Sequence, residues 1–131
     1  MKAPLAALSL IVTLLVINPA GGFAHHSDAA YATTSIVLKN ATITKFSWMN
    51  PHGLVSFDVK DEKGQVGHWV AEFGSPSAMS LIGWNRNIVA IGDEADIEMF
   101  PAKNGEPIGR LAKITYKDGR VLNYRVGRQG Q

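Results

Sequence analysis

An all-β fold is what this sequence predicts: a small barrel with one short helix between its third and fourth strands. Three observations carry that expectation. Runs of β-branched and aromatic residues recur between turn signals. Apolar positions within them alternate with polar ones, the pattern of strands with one buried face. Only Ser75-Pro76-Ser77 has the chemistry of a helix start.

The first strand is expected within residues 35–49. Ile36, Leu38, Ala41 and Ile43 set one phase and Phe46 and Trp48 another. The slip near Thr44-Lys45 predicts a bulge in a long, coiled strand. Asn50-Pro51 ends that strand. Val55, Phe57 and Val59 then alternate with Leu54, Ser56 and Asp58 as a half-buried second strand. Asp61-Glu62-Lys63-Gly64 turns the chain into a third, residues 65–73. Trp69, Ala71 and Phe73 share one face of it, and Val66, His68, Val70 and Glu72 the other.

Ser75 can cap a helix and Pro76 suits its first position. Met79, Leu81 and Ile82 give the helix an apolar side, and Gly83 stops it. Two more strands are expected at residues 94–100, after the Ile91-Gly92-Asp93 turn, and 111–116. Lys117-Asp118-Gly119-Arg120 is a hairpin signal into a last strand at 121–124. Three strands, a short helix and two or three further strands is the order of an OB-like Greek-key barrel. A small β-sandwich is the alternative, but it needs no helix at that place.

Residues 1–24 read as a signal peptide. Lys2 supplies the positive start, Leu5 to Ile17 the apolar run, and Gly22-Phe23-Ala24 the small residues that signal peptidase reads. The run is well short of the roughly 20 residues a spanning helix needs, so no stable membrane anchor is expected. Residues 25–131 are then a single β-barrel domain with a flexible N-terminal segment, 25–34. The expected location is periplasmic or secreted. The chain has no cysteine, which excludes disulfides, thiolate metal sites and thiol catalysis. Charge outside the leader is nearly balanced, which excludes an electrostatic nucleic-acid binder. Arg120, Arg125 and Arg128 read as part of a solvated tail.

Cleavage after Ala24 would free the amine of His25. An amine and an imidazole on one residue form a chelate suited to Cu(II) or Ni(II), which favour nitrogen-rich tetragonal sites. His26 adjoins it, and both sit in a segment rich in Ala, Ser and Thr. The plainer alternative is a processing junction without a role. His52 belongs to Asn50-Pro51-His52, where Pro51 fixes its own φ and keeps Asn50 extended. Such a turn directs an imidazole outward, for ligation or merely for capping the turn. His68 lies inside a strand. It shares a face with Glu72, but four strand residues span about 13 Å, so both cannot ligate one ion. A half-exposed strand residue, able to pair across to a neighbour, is the expectation for it.

His25-His26-Ser27, Trp48-Met49-Asn50-Pro51-His52, Trp69-Val70-Ala71-Glu72-Phe73-Gly74-Ser75-Pro76, Gly83-Trp84 and Gly92-Asp93 together carry a resemblance. The chain resembles an uncharacterised family of small exported bacterial proteins, known only as a domain of unknown function. The sequence departs from it at Asp28, where relatives tend to carry an aromatic residue. The resemblance brings no settled activity, but it points to His25, His26 and His52 as functional.

Two functions follow as expectations. One is a periplasmic copper-binding module in which His25 chelates through its amine and ring, with His26 or His52 adding an imidazole. That arrangement resembles the terminal histidine of copper-dependent polysaccharide oxygenases and of some periplasmic copper carriers, an analogy of site and not of fold. Met49 can offer a thioether, though packing is the plainer role for a lone methionine. The other is a metal-free OB-type binding domain for a small molecule, oligosaccharide or peptide, with Trp48, Trp69 and Trp84 as platforms or simply as core. No Ser-His-Asp constellation, paired carboxylates or phosphate-cradling loop is recognisable, so the sequence gives no reason to expect an enzyme.

Overall fold

The computed structural model describes residues 28–124. Its strands are β1 (Ile36–Ser47), β2 (Gly53–Lys60), β3 (Val66–Phe73), β4 (Glu94–Pro101), β5 (Ile108–Tyr116) and β6 (Val121–Asn123), with helix α1 (Pro76–Leu81) between β3 and β4. They hydrogen-bond in the order β3-β2-β1-β4-β5-β6. A parallel pairing of β3 with β5, Val70↔Ile108 to Glu72↔Arg110, closes the first five into a barrel. This is the expected small Greek-key barrel with its helix in the expected place.

Alternation explains why these segments are strands. Gly53, Val55 and Phe57 of β2 and Ala71 and Phe73 of β3 point inward and are buried, and the residues between them are more exposed. Ile43, Ile97, Met99, Leu111 and Ile114 complete a core that excludes water. Met79 of α1 joins that core at 1% exposure, so one buried side chain anchors the helix. Ser75 caps it, its side chain accepting from the Ala78 amide at 3.4 Å, and Gly83 ends it at φ 86°.

The expected bulge is present, since the β1–β2 register shifts between Ile43 and Lys45. A second break lies on the other edge of β1, between Leu38 and Ala41 against β4. Asn40 there adopts φ 52°, and its amide donates to Asp96 Oδ1 at 2.9 Å. Asparagine is one of the few residues that tolerates this left-handed backbone.

Three local expectations change. β5 begins at Ile108, three residues before the expected start. Gly109 within it is a packing requirement: a Cβ there would stand 2.1 Å from Met99 Cε and 2.6 Å from the Phe100 carbonyl oxygen. Arg120 is not part of a solvated tail. Its guanidinium carbon lies 3.8 Å over the Tyr116 ring and its Nη1 donates to the Ile88 carbonyl at 3.0 Å. Arg125 and Arg128 lie outside the described residues. Within the segment expected to be flexible, Asp28–Ala30 forms a single 3-10 turn and Tyr31 bridges to Ala102. The Ala32 amide bonds to the Pro101 carbonyl at 2.8 Å and the Lys103 amide to the Ala30 carbonyl at 3.0 Å, so these residues are tied to the barrel.

Candidate functional site

The seam where β3 meets β5 gathers three stretches distant in sequence. The turn between β1 and β2 reaches it through Gly53, which pairs with Phe73. The connection between β4 and β5 reaches it through Ile108, opposite Val70. The N-terminal stretch enters through Tyr31, which is 4% exposed and packs with Phe100 and Ala112 in a small core of its own. In OB barrels generally, ligands are taken at the loops that flank this part of the barrel.

Glu72 is the junction of the site. It lies on the outward face of β3, opposite Leu54 on one side and Arg110 on the other. Its Oε1 is 3.3 Å from Nδ1 of His52, and its Oε2 accepts a hydrogen bond from the Tyr31 hydroxyl at 3.4 Å. The Arg110 guanidinium lies 5.7 Å from the Tyr31 ring centroid and 5.8 Å from that of Phe100, within cation–π range of both. Burial, reinforced by the negative charge of Glu72 and the hydrogen bond to it, pushes the Tyr31 hydroxyl up to about 12. The phenol therefore stays a proton donor throughout the neutral range.

Aromatic packing holds the turn that carries His52. Asn50-Pro51 is a cis peptide. Beneath the turn the Phe73 ring stacks on Phe46 at 5.3 Å between centroids and meets Trp48 at 6.3 Å and Trp84 at 5.5 Å. The imidazole above keeps 46% of its side-chain surface in solvent, so it is held and still accessible.

The four histidines therefore separate. His52 is part of the seam. His25 and His26 lie outside the described residues. His68 pairs across the β2–β3 hairpin, its Nδ1 2.6 Å from Asp58 Oδ1, as a residue 80% exposed on a different part of the sheet. Trp84 is core, and Trp48 and Trp69 are partly buried against it. Met49 is 50% exposed. Among the described residues no group of three or more His, Cys, Asp or Glu side chains could hold a metal ion. Among them, too, no helix is long and apolar enough to cross a membrane.

Sequence reasoning missed Glu72 as the partner of His52, and Tyr31 and Arg110 as the neighbours of Glu72. The hairpin register could have found Glu72: counted from Lys60↔Val66, it ends at Leu54↔Glu72 and Gly53↔Phe73, beside the Asn-Pro-His turn. Tyr31 and Arg110 arrive only through barrel closure, which no local pattern encodes.

Fold and site define a small closed β-barrel that carries a histidine, a carboxylate and a tyrosine at its closing seam. The chain belongs to the family of unknown function DUF6152, whose family model matches residues 13–111. No curated protein and no solved structure matches the chain.

Proposed function

We propose that this protein is an exported metal-binding module, for copper in preference to other metals, that uses His25 after removal of residues 1–24. His25 chelates through its freed amine and its ring, and His26 or His52 supplies a further imidazole. The observation that supports this reading is the linkage of Tyr31 to His52 through Glu72. Six peptide units join His25 to Tyr31, a chain length of at most about 20 Å. His25 and His26 are joined by that short stretch of chain to Tyr31, which shares Glu72 with the exposed imidazole of His52. With His52 as the further ligand, the terminal chelate meets an imidazole fixed on the barrel.

Mass spectrometry of the exported protein is expected to find His25 at the amino terminus. Copper titration of that form against one bearing a single extra residue ahead of His25 is the decisive test. The extension converts the amine to an amide and leaves every imidazole intact, so Cu(II) affinity should fall by more than the roughly 10 to 100-fold typical of an outer contact. Equal affinity in the two forms would overturn the terminal chelate. It would leave the metal-free OB-type domain, binding a small molecule, oligosaccharide or peptide at the same seam, as the better account.

A further inference from the structure

Glu72 has two carboxylate oxygens and divides them between two elements. Oε2 takes the Tyr31 hydroxyl, and Oε1 faces Nδ1 of His52. A carboxylate is an acceptor only, so a neutral imidazole presenting Nδ1 to it is favoured in the form that carries its proton on Nδ1. That form leaves the lone pair on Nε2. The second nitrogen lies across the ring from Glu72, on a side chain with 46% of its surface in solvent. Metal-bound histidines commonly show this division of labour, one ring nitrogen on a carboxylate and the other on the ion.

We infer that Glu72 is a positioning residue that holds His52 as its Nδ1–H tautomer and presents Nε2 as the ligating atom. The inference rests on the metal-binding reading above for the identity of the ligand, but the tautomer itself does not. Tyr31 completes the device. Its phenol is anchored in the small core with Phe100 and Ala112 and donates to the other carboxylate oxygen at 3.4 Å, a long contact that orients Glu72. The opposite register neighbour, Arg110, stacks over Tyr31 and Phe100 and so supports the same wall. The contact at 3.3 Å is a loose one, and ligation at Nε2 is expected to tighten it, because a metal-bound imidazole is a stronger donor at its other nitrogen.

The test uses protein labelled with 15N at histidine, with long-range proton–nitrogen correlation spectra recorded metal-free at a pH where His52 is neutral. The wild type should show His52 protonated at Nδ1, the reverse of the preference of a free histidine side chain. Glu72→Ala should return the ring to that free preference. Glu72→Gln retains a carbonyl acceptor and should keep part of the Nδ1–H population, which separates positioning from general loss of structure. His68 in the same spectra reports whether the β2–β3 hairpin is intact in each variant. A wild-type His52 protonated at Nε2, or a tautomer balance unmoved by Glu72→Ala, overturns the inference. Copper titration of the same variants then addresses the metal. Glu72→Ala should weaken Cu(II) binding about 10 to 100-fold, with Glu72→Gln between it and the wild type. The expected tautomer shift in a protein that binds no Cu(II) would sink the metal-binding reading and leave the role of Glu72 standing.

Discussion

The ring of Phe73 occupies the space where a side chain at Gly53 would begin: a Cβ on Gly53 would stand 2.0 Å from Phe73 Cε2. The two are register partners on β2 and β3, and Gly53 directly follows His52. The turn that presents the imidazole is thereby seated on a buried aromatic ring.

Gly53→Ala should therefore cost about 1–3 kcal/mol through overpacking. Phe73→Ala should cost about 3–5 kcal/mol through the lost ring and the cavity it leaves. The double variant should lose less than the sum, because removing the ring makes room for the added methyl group. Denaturant unfolding of the three variants measures this, and strict additivity would show that the ring and the glycine are not in conflict.

Tyr31 makes stability sensitive to alkali. Its pKa is raised from the ordinary phenol value to about 12, chiefly by burial. A group whose folded pKa lies above its unfolded value contributes stability that is whole below the unfolded value and lost as pH rises through the folded one. Wild-type protein should lose that contribution between about pH 10 and pH 12, the ordinary and raised values. Tyr31→Phe should show a smaller loss over the same window in pH-dependent unfolding. At neutral pH the variant should be about 0.5–1.5 kcal/mol less stable, the usual net worth of one hydrogen bond.

Arg120 joins three parts of the barrel at once. It stacks on Tyr116, donates to the Ile88 carbonyl and lies 3.6 Å from Asp93. Arg120→Ala should lower stability by about 1–2 kcal/mol, mostly from the stack and the covered apolar surface. Arg120→Lys keeps the charge but not the planar group, so thermal unfolding should show it recovering only a minor part of that loss.

His68→Ala removes one partner of an exposed cross-strand pair. Such pairs contribute about 0–1 kcal/mol, so stability should fall within that range. Cu(II) affinity should be unchanged, whereas His52→Ala should weaken it. A comparable loss for both histidines in parallel titrations would mean that the seam is not the binding locus.

Much of the architecture was legible because it rests on local signals. The phase slip in β1, the Ser75-Pro76 helix start and the turns at Gly92 and Gly119 each depend on a few adjacent residues, and the two glycines take the positive φ that such turns require. The second break in β1 was not legible, because Asn40 looks like any exposed polar residue of a strand until its partner Asp96 is known. The early start of β5 was hidden for a similar reason. Gly109 is small to suit Met99 and Phe100, neighbours that only the sheet reveals. For the candidate site, His52 announced itself through Asn50-Pro51. Its surroundings did not, since Tyr31 and Glu72 are 41 residues apart and meet only when β3 and β5 close the barrel.

That closure covers β5 unevenly. Residues 108–110 give one edge to β3, whereas residues 113–115 give it to β6. The Tyr124 amide, bonded to the Ala112 carbonyl at 3.0 Å, spans the changeover between them. The three residues of β6 therefore work against unwanted company. Stripped of them, β5 would display a row of unpaired amides and carbonyls, a template onto which another molecule could add a strand. A three-residue edge strand, too short to template a long pairing, thus stands where β5 would otherwise be open.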